Sequence, residues 1–268
     1  MTSMHCRVAT TQRELDDALR IRWAVFGGEL RLLGGNPSPT RREVGCFDTL
    51  ETTVHLVVYA DRTPVATLRM LLTNPEVALA TGGRLGVEME QKLDLSSLVG
   101  PGRVIAETAR FCVLEQWRHT EAVAHLQAGI YAESRRRGVT HWVAAANMDT
   151  DSHEDARLIA CVAEHRGWVS PRWRVRSTVP HESPAIPRSP FYTPAERERA
   201  GQGLLAGLRM PRAPSLFARK MGARFVGQPL YDASFHRFTL PLVAALDEIP
   251  TSTLERFRAL DGVFRRAG

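Results

Sequence analysis

The order of elements legible in this chain predicts an α/β domain: a mixed central β-sheet flanked by helices, continued by a C-terminal extension. Three observations carry that expectation. The hydrophobic period switches between the helical and the strand type, giving helix, two strands, connector, strand, helix, strand, helix and strand. At 268 residues, 44% hydrophobic and 24% charged, the chain has material for one large core. No apolar run reaches the roughly 18 residues of a membrane span, so at most a peripheral membrane contact is expected.

Thr11-Gln12-Arg13-Glu14 fits a capping box, a Thr that caps the helix and a Glu three residues on that reaches back. The helix it opens runs to about Phe26, with an apolar stripe of Leu15, Ala18, Leu19, Val25 and Phe26. At 100° per residue Arg22 falls in the middle of that stripe, where an unpaired charge is costly. Gly27-Gly28 and Gly34-Gly35-Asn36-Pro37 mark a loop to about Arg42. Residues 54–59 and 65–72 read as a hairpin around Asp61-Arg62-Thr63-Pro64, with Arg69 on the same strand face as Val65, Thr67 and Leu71. Residues 74–92 form a connector with a short helix.

Residues 103–114 read as a buried strand opened by the turn Gly100-Pro101-Gly102. This strand holds Glu107-Thr108-Ala109-Arg110-Phe111-Cys112-Val113, and a buried strand has little reason to carry both a carboxylate and a guanidinium. The two residues are either a structural ion pair or parts of a site. Regular pleating would send them to opposite faces, so a bulge is expected beside them.

A helix follows over 120–137, ending on Arg135-Arg136-Arg137 and Gly138. Next come a strand over 141–146, a helix from Ser152 to Gly167, and a strand over 168–176. That last strand would place Arg172, Arg174 and Arg176 on one face. Residues 180–194 are proline-rich. Short helices are expected from Pro194 and over 215–221, a strand over 239–246 placed near a sheet edge by Pro241, and an amphipathic helix over 252–266. The organisation expected is a core over 1–179, a connector over 180–214, and a segment over 215–268 that completes or extends the same domain.

Four scattered cysteines (Cys6, Cys46, Cys112, Cys161) fit neither a disulfide framework nor a zinc site, and no histidine spacing suggests a metal. With no apolar leader behind the N-terminus, a reduced cytoplasmic location is expected. The formal net charge of +6 calls for an acidic partner. Nucleic acid is disfavoured: no binding motif is present and aromatics are only 7% of residues.

Taken together, Arg22-Trp23-Ala24-Val25-Phe26, then Phe47-Asp48, then Arg69, then Glu107-Thr108-Ala109-Arg110-Phe111 resemble the signature of acyl-homoserine-lactone synthases. The same framework resembles the N-acyl amino acid synthases and the ornithine-lipid acyltransferases, and His55-Leu56-Val57-Val58 is closer to those two groups. The resemblance implies the GNAT acyltransferase fold and transfer of a fatty acyl chain from acyl carrier protein to a small amine such as an amino acid. It makes Glu107 the base or relay, with Arg110 as its catalytic companion. It makes Arg22, Phe26, Asp48, Arg69, Phe111, Cys112 and Val113 substrate-binding, the backbone N–H groups near 111–113 receiving the oxyanion. Cys112 itself reads as a packing residue rather than a nucleophile.

Two departures bear on the substrates. The first acid of the lactone-synthase pair falls at Gly45 and a loop tryptophan falls near Leu32, which disfavours S-adenosylmethionine as acceptor. Residues 118–123 lack the glycines with which acetyl-CoA enzymes of this fold seat a pyrophosphate, and Glu121 would repel one. An acyl-phosphopantetheine arm on carrier protein is therefore the expected donor, with no other cofactor. Arg172, Arg174, Arg176, Arg135 and Arg136 are the candidate docking residues for that acidic partner. The competing readings are a lactone synthase and a non-catalytic carrier-protein or acyl-chain binding protein.

Overall fold

The computed structural model describes residues 3–33, 39–180, 184 and 186–260 of the chain. The glycine-rich stretch expected over 34–37 lies outside them, as does the end of the terminal helix beyond 260; part of the proline-rich stretch does too. The chain divides into two compact units, each assembled from separated segments: residues 1–74, 103–142 and 251–268 in the first, and residues 75–102 and 143–250 in the second.

In the first unit four antiparallel strands run side by side in the order β1 (Met4–Val8), β2 (Thr53–Ala60), β3 (Thr63–Leu72), β5 (Ile105–Val113). Nearly all of β2 and β3 is buried, because helices cover both faces. On one face lies α1 (Gln12–Trp23), whose Ala18 and Ile21 pack with Val25, Val57, Tyr59 and Cys112. On the other lies α3 (Ala122–Arg136), whose Ser134 hydroxyl contacts Met70 and whose Gly129 sits against Cys6 and Leu56. The outer face of α3 meets α7 (Thr251–Ala259) through Tyr131 and Phe257.

Local chemistry explains these boundaries. The Thr11 hydroxyl accepts from Glu14 N–H at 3.2 Å and the Glu14 carboxylate accepts from Thr11 N–H at 3.1 Å, the reciprocal cap expected from sequence. At its other end α1 widens into a π-helical turn over Ala24–Glu29, with Leu30 N–H donating to Val25 O at 2.9 Å. The β2–β3 turn is Asp61-Arg62 alone; Asp61 takes φ +54, and Thr63 and Pro64 already belong to β3.

The second unit contains α2 (Pro75–Thr81), β4 (Leu93–Asp94) paired with β7 (Arg176–Ser177), residues 143–147 of β6 (His141–Asn147), α4 (His153–His165), α5 (Pro194–Gly201) and α6 (Arg212–Lys220). It also holds β8 (Arg224–Phe225), β9 (Leu230–Asp232) and β10 (Arg237–Ala245). The sheet expectation at Pro241 needs correcting. β10 has β6 on one side and the short strands β8 and β9 on the other, so it is internal. Pro241 is tolerated because it falls in the gap between β9, opposite residues 237–239, and β8, opposite 242–243.

A second correction concerns the strand expected over 168–176. Only a bridge at Val169 and the two residues of β7 form. The Ser170 hydroxyl accepts from the N–H groups of both Arg172 and Trp173 at 3.1 Å, folding the chain into a turn around Pro171. The three arginines therefore do not share a strand face. Arg172 reaches Glu248 at 3.4 Å, Arg174 donates back to the carbonyls of Ser170 and Trp173, and Arg176 stands opposite Asp94 in the β4–β7 ladder.

Candidate active site

Every residue of the expected catalytic constellation lies in the first unit, on the sheet face covered by α1. Cross-strand register explains how. His55, Arg69 and Ala109 stand opposite one another on β2, β3 and β5, and one row along are Thr53, Leu71 and Glu107. Residues two apart on a strand share a face, so Arg69 and Glu107 emerge on the same side.

Arg110 would be lost to the α3 side if β5 were regular. Instead Thr67 opposes Cys112 while Arg69 opposes Ala109, so two residues of β3 span three of β5 and one extra residue is inserted at 110–111. Arg110 takes φ +57, a left-handed conformation rare for a residue with a side chain. The insertion returns its guanidinium to the α1 side, where Nε donates to Glu43 Oε1 at 3.2 Å. The bulge anticipated from the Glu107/Arg110 spacing is thus present.

Asp48 is the hub. One carboxylate oxygen accepts from Arg22 Nη1 at 2.8 Å and from Arg69 Nη1 at 3.0 Å, and the other accepts from Gly45 N–H at 2.6 Å. Burial on its own would raise the pKa of Asp48, but the Arg22 hydrogen bond and charge, the Gly45 N–H and Arg69 together bring it down to about 2. Glu43 closes the network, pairing with Arg22 through one oxygen and Arg110 through the other. Three guanidiniums (Arg22, Arg69, Arg110) thus meet two carboxylates (Glu43, Asp48), and the register places Glu107 on the same face. Pairing with Asp48, and for Arg22 also with Glu43, is what allows Arg22 and Arg69 to be 0% exposed.

Exposure divides the roles. Arg22 and Arg69 are enclosed and hold Asp48, whereas the Arg110 side chain keeps 15% exposure. Glu107 is 3% exposed. Phe26 lies on the π-helical turn, partly buried against the core under α1, and Phe111 is half-buried beside the bulge. Cys112 is enclosed in that core, and burial pushes its thiol pKa far up. The register sets the direction of Val113. Leu114 N–H donates to Val65 O at 3.0 Å, which makes 65/114 a hydrogen-bonded pair and turns the Val113 N–H away from β3. Arg135 and Arg136 end α3, Arg136 paired with Glu133 at 2.7 Å.

Glu43 and the bracing contact of His55 were not read from sequence. Glu43 lies in irregular chain, and its only signal was an acid two residues before Gly45, the position where the expected one is missing. A Cβ on Gly45 would lie 3.5 Å from Arg69 Nη1, 3.6 Å from Asp48 Oδ2 and 3.8 Å from Arg110 Nη2, so this backbone lines the same charged cluster. His55 is buried and its Nε2 lies 3.0 Å from the Asp48 carbonyl, bracing the hub from β2; burial lowers its pKa. Among the described residues no group of three or more His, Cys, Asp or Glu side chains could hold a metal ion, and no helix is long and apolar enough to cross a membrane.

Residues 21–128 match the acetyltransferase (GNAT) domain family. Among particular proteins, the chain is 24% identical over 181 residues to an L-ornithine N(alpha)-acyltransferase of Agrobacterium fabrum (strain C58). That match covers 64% of this chain and 59% of the relative, so somewhat over half of the relative's length is spanned. Two solved structures share the fold. One is FeeM, an N-acyl amino acid synthase from uncultured soil microbes (TM-score 0.51, 10% identity, 92% of this chain and 93% of that one). The other is BjaI, a CoA-dependent acyl-homoserine lactone synthase (TM-score 0.50, 14% identity, 96% and 88%).

Proposed function

We propose that this protein is an N-acyltransferase that moves a fatty acyl chain from the pantetheine thioester of acyl carrier protein to the amino group of an amino acid or similar small amine. The observation that carries the reading is the bulge at 110–111. It places Arg110 on the same face as Glu107 and ties both strands to the Arg22–Glu43–Asp48–Arg69 network. A purely structural ion pair would not need a left-handed arginine in the middle of a buried strand.

In this reading the amine attacks the thioester carbonyl carbon, and Glu107 takes its proton directly or through one water. The oxyanion is met by the Val113 N–H, which β3 leaves unused. The intermediate collapses as its C–S bond breaks, and the pantetheine sulfur leaves as the thiol by taking up the proton held by Glu107. Arg110, with its partial exposure, is the guanidinium able to meet the acceptor's carboxylate, while Arg22 and Arg69 position Asp48. The curated relative acylates an amino acid, which supports that acceptor class. The donor assignment rests on residues 118–123, where α3 begins behind Glu121 without glycines.

Glu43 favours a second reading. It supplies a second carboxylate beside Asp48 where Gly45 has none, which restores part of a lactone-synthase site and keeps S-adenosylmethionine as an alternative acceptor. Purified protein incubated with decanoyl- or palmitoyl-carrier protein and, separately, decanoyl-CoA, against pools of amino acids or S-adenosylmethionine, separates the two by mass spectrometry. The proposal expects N-acyl amino acid from the carrier-protein donor. An acyl-homoserine lactone without N-acyl amino acid establishes the second reading, and faster turnover with the CoA donor refutes the carrier-protein assignment.

A further inference from the structure

The second unit contains a cavity that the proposed reaction does not use. It has a volume of about 280 Å³ and lies between α4, the turn over 169–175, β8 and β10. Its floor is apolar: Val175, Phe225, Val226 and Leu240 are all core residues. Its rim is charged. Arg157 and Glu164 project from one side of α4, seven residues and two turns apart, and Arg174 faces them from the turn.

The rim charges are not spent on one another. Among the described residues neither Arg157 nor Glu164 has a side-chain hydrogen bond or ion pair. Arg174 commits Nη1 to the carbonyls of Ser170 and Trp173, which fixes its guanidinium at the rim with donors to spare. Gly227 lets Val175 pack closely against the backbone of the floor, since a Cβ there would come 2.8 Å from Val175 Cγ2. Two arginines against one glutamate leave a surplus of one positive charge above an apolar base.

We propose that this cavity is a second ligand site, specific for a small carboxylate with a short aliphatic body. The carboxylate would sit between Arg157 and Arg174, whose planar forks suit two oxygens. The aliphatic body would lie on Phe225 and Leu240, with Glu164 selecting against ligands that carry a second negative charge nearby. Size limits the ligand. At about 280 Å³ the cavity is roughly twice the ~150 Å³ apolar cavity that encloses benzene, so it suits a ligand of about ten heavy atoms such as octanoate better than one of about eighteen such as palmitate.

The test uses the full chain and octanoate as probe, followed by calorimetry and by ¹³C NMR of carboxyl-labelled octanoate. Saturable binding of one octanoate is expected, weakened about tenfold or more in Arg157→Gln and lost in Ala160→Phe, which fills the space from α4 while both rim arginines remain. Palmitate and the dicarboxylate suberate should bind at least tenfold more weakly than octanoate. Both substitutions lie far in sequence from the acyl-transfer residues, so turnover should persist in each, and loss of the site leaves the proposed activity standing. Absence of saturable octanoate binding overturns the proposal. So does binding that survives both substitutions, because the octanoate would then occupy the acyl site of the first unit.

Discussion

Replacing Asp48 with Asn is the sharpest test of how the buried network is held. The substitution keeps the shape of the side chain but removes the charge that two wholly enclosed guanidiniums share, at 2.8 and 3.0 Å. The depressed pKa gives one measure of that charge. A fall from the ordinary aspartate value of 3.8 to about 2 corresponds to about 2 kcal/mol of extra stabilisation of the ionised form in the folded protein. The asparagine variant loses more, because Arg22 and Arg69 keep their charges while the buried carboxylate they share is gone. Breaking a buried pair from one side costs about 3–5 kcal/mol, so that is the destabilisation expected in urea unfolding. Because the folded-state pKa is the lower one, the wild-type contribution is fully present above pH 3.8. It is lost as pH falls toward 2, and the variant should show a flatter acid limb. Adding Arg69→Met to Asp48→Asn should recover part of the loss by removing one of the two enclosed cations that shared the carboxylate. A single-variant cost below about 1 kcal/mol, or strict additivity in the double variant, would refute the picture of a charge-balanced core.

Three other outcomes follow from particular contacts. Cys112→Ala should keep turnover within about threefold, since a thiol enclosed under α1 and pushed away from ionisation is packing material; abolished turnover with an intact fold would point to an acyl-enzyme. Gly222→Ala should destabilise the protein by more than about 1 kcal/mol in chemical denaturation, because Gly222 has φ +65 and a Cβ would lie 2.5 Å from the Glu248 carbonyl; an unchanged midpoint contradicts it. Reversing Arg135 and Arg136 to Glu should raise KM for acyl carrier protein at low salt, with the effect shrinking as salt is added, while an acyl-pantetheine donor is unaffected; equal effects on both donors remove the docking role.

How much of this was legible depended on whether a residue's role followed from a repeating pattern. Arg22 and Arg69 stood out because a charge broke an apolar period that the rest of α1 and β3 obeyed. The bulge was legible for a similar reason: Glu107 and Arg110 could serve one site only if the pleat were interrupted between them. Glu43 was hidden because residues 39–47 form no regular element, so nothing in the spacing says which way its carboxylate turns. The strand expected over 168–176 failed because Arg-Trp-Arg-Val-Arg imitates a period of two, while the Ser170 hydroxyl offers the backbone a competing turn. β1 was overlooked because Met4–Val8 is short and only partly buried; its place in the sheet comes from backbone pairing with β2, which composition does not reveal.

The central claim is that Glu107 handles the proton of the attacking amine. The measurement that addresses it most directly is the steady-state rate of Glu107→Gln with acyl carrier protein donor and amino acid acceptor, across pH, beside Glu107→Asp. With the same far-ultraviolet circular dichroism as wild type, the glutamine variant should lose about 10²–10⁴-fold in kcat, while KM for the donor changes little. Its residual rate should rise with pH through the amine's own ionisation, because the acceptor must then lose its proton unaided. Partial recovery is expected in the aspartate variant. A folded Glu107→Gln protein that turns over within about threefold of wild type, with an unchanged pH profile, would contradict the assignment.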